Sequence, residues 1–122
     1  MMDENALSSE VIGAAIEVHR HLGPGLLESI YRDCLVHELR LRGFQVAQEV
    51  TLPVTYKGRE FSAAYRADVV VEDRLVVELK AVEIVLPVFS AQLLSYLRIS
   101  GKKLGLLINF NVPREGRRQA LG

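Results

Sequence analysis

Arg66-Ala67-Asp68-Val69-Val70-Val71, a turn at Glu72-Asp73-Arg74, then Leu75-Val76-Val77-Glu78-Leu79-Lys80: this stretch decides how the chain is read. Apart from Ala67 its apolar residues are valine or leucine, and the turn between them is wholly charged, the pattern of two adjacent strands. Strand side chains alternate between faces. Glu78 and Lys80 therefore share one face, Val77, Leu79 and Ala81 take the other, and Arg66, Asp68 and Val70 share a face of the first strand. Loop length then decides the chemistry. With three loop residues Val71 pairs with Leu75, and the register sets Asp68 opposite Glu78. A two-residue loop would oppose Asp68 to Leu79 and send the carboxylates to opposite faces. The odd-length loop is expected, with the two carboxylate-bearing Cβ atoms about 5 Å apart.

Working outward, Ser8 or Ser9 can cap a first helix, with Val11, Ile12, Ala15, Ile16 and His19 at helical spacing. It should stop near Leu22, before Gly23-Pro24-Gly25. A second helix is expected from about Leu26 to Arg42, burying Leu27, Ile30, Tyr31, Cys34, Leu35 and Leu39 and ending at Gly43. From Phe44 the period changes to two. Val46 to Tyr56 and Arg59 to Val71 read as strands joined at Lys57-Gly58, and Leu75 to Val82 as a third. Pro87 suits the first turn of a third helix that Gly101 closes after Ser100. Leu104 to Phe110 is a strand covered on both faces. After Val112-Pro113 the tail is polar and expected to fray. The order is ααβββαβ, a mixed sheet with helices packed on it.

Composition sets limits. The 122 residues are read as one domain, 1–122, with an ordinary globular balance of 49% hydrophobic and 25% charged residues. Fifteen basic residues balance fifteen acidic ones, which argues against a protein that coats nucleic acid by bulk charge. A local basic surface stays open, because Lys102, Lys103, Arg114, Arg117 and Arg118 crowd the last quarter; a solvated charged face is the plainer reading. The acidic N-terminus does not resemble a signal peptide, and the longest uncharged run, Ile84 to Leu97, is too short to span a bilayer. The single cysteine, Cys34, suits a reducing cytoplasm and core packing. His19, His21 and His37 lack metal-ligand spacing and are expected at the surface or partly buried.

Two carboxylates held that close repel unless something compensates, and a divalent cation is the natural compensator. Lys80 supplies only one positive charge. Two carboxylates, a backbone carbonyl and waters would form an oxygen-rich octahedral site for Mg²⁺ or Mn²⁺, able to polarise a phosphodiester and to lower the pKa of a water. Lys80 would position that water or stabilise charge on phosphate. Ordinary exposed strand charges are the plainer alternative. Against that, Glu78 and Lys80 interrupt an otherwise apolar strand.

Asp68, nine intervening residues and Glu78-Leu79-Lys80 resemble the core motif of the PD-(D/E)XK nuclease superfamily, with Ala67 where that name expects proline. Gly25-Leu26-Leu27-Glu28-Ser29-Ile30-Tyr31 is similar to the signature of its GxxExxY branch, and Gln92-Leu93-Leu94-Ser95-Tyr96 to the glutamine–tyrosine helix of exonuclease-like members. The resemblance runs from about Val11 to Phe110. It implies a restriction-endonuclease-like α/β fold and a metal-dependent phosphodiesterase that hydrolyses DNA, with Mg²⁺ or Mn²⁺ as cofactor. It further implies that Asp68, Glu78 and the Leu79 carbonyl hold the metal, that Lys80 is catalytic, and that Glu28 adds an acid directly or through water.

Several roles stay open at this stage. Glu28 equally suits the first turn of its helix, near the dipole's positive end, or a capping partner. Tyr31, one turn on, either orients Glu28 or fills the core. Gln92 and Tyr96 either border the site or form a buried polar pair, and Arg66 either contacts phosphate or pairs with a carboxylate. So small a nuclease would be helped by a homo-oligomer or a partner protein, for which Ile84 to Phe89 is a candidate surface. The alternatives to an enzyme are a non-catalytic nucleic-acid- or protein-binding module that keeps the nuclease fold, and a regulatory module with ordinary salt bridges.

Overall fold

The computed structural model describes residues 2–113. In order these form α1 (Glu4–Leu22), α2 (Glu28–Leu41), β1 (Val46–Tyr56), β2 (Arg59–Val71), β3 (Leu75–Lys80), α3 (Pro87–Ser100) and β4 (Leu104–Asn109). The expected order ααβββαβ is the observed one. Arg114, Arg117, Arg118 and the rest of the tail read as fraying lie outside the described residues. Among the described residues no helix is long and apolar enough to cross a membrane.

The sheet has four strands in the order β1-β2-β3-β4. β1, β2 and β3 are successively antiparallel, whereas β3 and β4 run parallel, with α3 as the crossover that such a pair requires. Helices cover both faces, so β3 is buried from Leu75 to Leu79. One layer packs Leu7, Val11, Ala14 and Ala15 of α1 and Tyr31, Leu35, Val36 and Leu39 of α2 against Val69, Val71, Leu75, Val77, Leu79, Leu106, Ile108 and Phe110. The second packs Leu93, Tyr96 and Leu97 of α3 against Ala67, Val70, Val76 and Leu107. This is the mixed, helix-flanked sheet of restriction-endonuclease-like folds.

The local departures from expectation are instructive. α1 begins a turn before Ser8, because the Asp3 carboxylate accepts from the Ala6 N–H at 2.8 Å and Leu7 extends the buried stripe. Ile16, expected in that stripe, is exposed. α2 starts at Glu28 rather than Leu26, which leaves Leu27, 73% exposed, outside the core, and Ile30 is 43% exposed. Val36 is buried in their place. β3 stops at Lys80 and not at Val82, whose backbone is instead bonded to Asn109. α3 matches expectation at both ends, with Pro87 in its first turn and Gly101 left-handed at φ 76°.

Where α3 crosses β4, the Leu93 and Leu97 side chains fill the space that a side chain on Gly105 would need. A Cβ on Gly105 would lie 2.9 Å from Leu93 Cδ1 and 3.1 Å from both Leu93 Cγ and Leu97 Cδ1. Leu93 is fully buried, so making room means repacking the α3 layer. Gly105→Val is expected to lower unfolding stability by about 1–3 kcal/mol through overpacking, as measured by urea denaturation.

Candidate active site

The β2–β3 turn has the expected three residues. Val71 pairs with Leu75, Val70 with Val76 and Val69 with Val77. Glu72 and Asp73 both take left-handed backbone at φ 54°, and the Arg74 N–H returns to the Val71 carbonyl at 3.0 Å. One step beyond Val69 the ladder ends, at the position where Asp68 meets Glu78. There side chains replace the missing backbone partners. The Leu79 N–H donates to Asp68 Oδ2 at 2.8 Å, and the Asp68 N–H donates to Glu78 Oε1 at 3.4 Å. Each carboxylate thus reaches across to the other strand, and the two face each other in the gap.

Alternation along β2 breaks at this point. Val69 belongs to the layer under α1 and α2, yet Ala67 joins Val70 in the layer under α3, together with the partly buried Tyr65. Opposite the break, Glu49 of β1 has φ 53°. Arg66 consequently does not sit with Asp68 as strict alternation suggests. It is exposed and pairs with Glu49 at 3.6 Å, a carboxylate that also receives Arg32 at 3.2 Å. Of the two roles left open for Arg66, the structure shows the ion pair.

Glu78 is only 6% exposed. Burial, and then the charge and hydrogen bonding of Asp68, push its carboxyl from the usual 4.5 up to about 8; the Asp68 N–H and Lys80 pull the other way without prevailing. Lys80 Nζ rests over the ring of Phe89, in the first turn of α3, 4.4 Å from its centroid. Tyr65 and Tyr96 close the α3 side, with ring centroids 5.5 Å apart. Both phenols titrate above their ordinary value, through burial first and the Glu78 charge second, which places them within its field. Gln92 is exposed one turn earlier, so the two do not form a buried polar pair.

The α2 side is built from Gly25, Glu28 and Tyr31. Tyr31 is fully buried, its ring stacked on Phe110 at 4.6 Å. Its hydroxyl donates to the Gly23 carbonyl and accepts from the Leu26 N–H at 3.1 Å. Gly25 supplies the φ of 99° that turns the chain into α2. Tyr31 therefore fills the core and also pins the loop that aims Glu28. Leu27 is the N-cap, so Glu28 is not a capping residue. Its Oε2 accepts from the Ala81 N–H at 3.3 Å, one residue beyond Lys80. Among the described residues no three of His, Cys, Asp and Glu gather closely enough to enclose a cation. Glu28 thus stands at the mouth of the site, apart from the Asp68–Glu78 pair.

Sequence reasoning overlooked Asn109, and had Phe89 only as the end of a candidate contact surface rather than as the partner of Lys80. Asn109 is buried opposite Lys80; its Oδ1 accepts from the Val82 and Asn111 N–H groups, both at 3.1 Å, and its Nδ2 donates to the Val82 carbonyl at 2.9 Å. It locks the chain that leaves β3. The available signal was a lone amide in the run Leu104 to Phe110. His19, expected at the surface or partly buried, is fully buried beside Phe110 with Nε2 2.8 Å from the Val112 carbonyl, whereas His21 and His37 are exposed. Cys34 is partly buried against the α1–α2 layer.

The donors at the gap suit a hard cation. Both side chains are carboxylates, and in a strand a residue's N–H and C=O point to the same neighbour. Because the Leu79 N–H points to Asp68, its carbonyl also faces the opened gap. Two carboxylates that repel each other, one buried and one partly so, and a backbone carbonyl are the hard oxygen donors that Mg²⁺ or Mn²⁺ would take.

The family model for the PD-(D/E)XK nuclease superfamily matches residues 5–120. The chain belongs to that superfamily. Neither comparison, with curated proteins or with solved structures, gives a match.

Two outcomes are expected. Tyr31→Phe leaves the Gly23 carbonyl without its buried donor and should cost about 1–2 kcal/mol in urea unfolding. In metal-free buffer, the raised carboxyl of Glu78 means that the folded protein holds this proton more tightly than the unfolded chain. Its stabilising contribution is complete below about pH 4.5 and fades as pH rises through about 8. The melting temperature should therefore fall between about pH 6 and 9, and Glu78→Gln should flatten that fall.

Proposed function

We propose that this chain is a divalent-metal-dependent nuclease that hydrolyses DNA phosphodiester bonds. The supporting observation is the reciprocal bonding of Asp68 and Glu78 at the open end of the β2–β3 ladder, with Lys80 next in line on β3. Asp68, Glu78 and the Leu79 carbonyl would hold Mg²⁺ or Mn²⁺. When bound, such an ion polarises the phosphodiester and lowers the pKa of the attacking water. Lys80, released from Phe89, would steady the phosphate or orient that water. Glu28 would act through water from the mouth of the site, and Tyr96 and Gln92 would support the α3 side. Gly25, Glu28 and Tyr31 each have a structural task at their motif positions, which supports placement in the GxxExxY branch. Residues 1–122 would act as one nuclease-like domain. The exposed Ile84, Leu86 and Val88 would be the contact surface for a second copy or a partner protein.

The test is incubation of end-labelled single- and double-stranded DNA with Mg²⁺ or Mn²⁺, using Lys80→Ala as control. Wild type should cleave only with metal, and the variant should be slower by about 100-fold or more. Equal degradation by both proteins would mean contamination and would leave only a binding module.

A further inference from the structure

The β1–β2 hairpin is much longer than the sheet that carries it. β1 pairs with β2 from Val46–Val71 out to Tyr56–Arg59, whereas the pairing of β2 with β3 spans only Val69 to Val71. The outer arm therefore stands beyond β3, and its tip is rich in rings and cations. Tyr56 is 62% and Phe61 43% exposed. Tyr56 lies across from Arg59 and Val54 across from Phe61, so Tyr56, Arg59 and Phe61 share one face. Glu60, across from Thr55, takes the other. Each ring carries a cation: Lys57 Nζ is 5.5 Å from the Tyr56 centroid, and Arg59 Cζ 4.9 Å from that of Phe61.

We propose that this hairpin tip is a binding platform for single-stranded nucleic acid, with bases stacked on Tyr56 and Phe61 and phosphates held by Lys57 and Arg59. The proposal rests on the nuclease reading for its choice of ligand and deepens it by naming the form of substrate. An apolar protein partner would cover the rings but strip water from two cations. An anionic strand with unpaired bases satisfies both groups at once. Duplex DNA hides its base faces and offers the rings nothing to stack on. Position favours delivery to the candidate site: Phe61 precedes Asp68 by seven residues on the same strand, at most about 23 Å at about 3.3 Å per residue. That distance corresponds to roughly seven nucleotides at the stacked spacing of about 3.4 Å.

The experiment is fluorescence anisotropy in EDTA, with labelled oligothymidine of fifteen nucleotides, oligothymidine of four nucleotides, and a fifteen-base-pair duplex. EDTA prevents cleavage, so failure here is separate from failure in the metal-dependent assay. The full-length protein should bind the longer single strand more tightly than either comparator. Replacing both rings (Tyr56→Leu with Phe61→Leu) keeps apolar bulk in the hairpin and should weaken that binding by about tenfold or more with the salt dependence unchanged. Lys57→Ala with Arg59→Ala should weaken binding and also flatten its dependence on salt. Melting temperatures at the wild-type value show that the variants are folded; for any variant that melts early, the single substitution Phe61→Leu is read instead and should weaken binding severalfold. No binding by wild type, tighter binding to duplex, or unchanged binding by folded ring variants would overturn the proposal.

Discussion

Two carboxylates at the end of an antiparallel ladder constrain everything around them. Asp68 and Glu78 occupy the place where β2 and β3 cease to bond through their backbones, and each accepts an N–H from the opposite strand. With Glu78 buried and Asp68 partly buried beside it, two full negative charges there are unfavourable, and a proton or a cation relieves them. The raised carboxyl of Glu78 expresses the first option, and the proposed metal would be the second. The surroundings keep the pair in place: Tyr65 of β2 and Tyr96 of α3 close one side, and Asn109 clamps the chain leaving β3.

The helix pair contributes more than packing. Tyr31 is central to the core through Phe110 and simultaneously ties the Gly23–Leu26 turn to α2. That turn decides where α2 begins, and its first residue is Glu28. An acid exposed to solvent is thereby held at the end of β3 by a buried tyrosine, which explains why a glycine, an acid and a tyrosine recur at three-residue spacing here.

The register was legible because the wholly charged turn Glu72-Asp73-Arg74 marks its own length. The apolar runs Val69 to Val71 and Leu75 to Val77 bound it on both sides, and its odd length fixes which acids meet. Helix ends were legible where Pro87, Gly101 and Gly23 act locally. Readings failed where a distant contact decided the outcome. Ser8 lost the cap to Asp3; Leu27 was displaced from the core by the start of α2; and Arg66 was drawn to Glu49 by a break in alternation that no local pattern announces. The cation–π contact of Lys80 with Phe89 depends on how α3 is docked, which spacing within β3 cannot encode. Asn109 acquires its task only when β4 lies beside β3.

The central claim is that the Asp68–Glu78 gap is a cation site, and calorimetric titration with Mn²⁺ tests it most directly. The wild-type protein should bind one ion per chain with release of a proton near neutral pH, and Asp68→Asn should weaken that binding by at least about tenfold. Identical heats and identical proton release from both proteins would show that the carboxylates hold no metal.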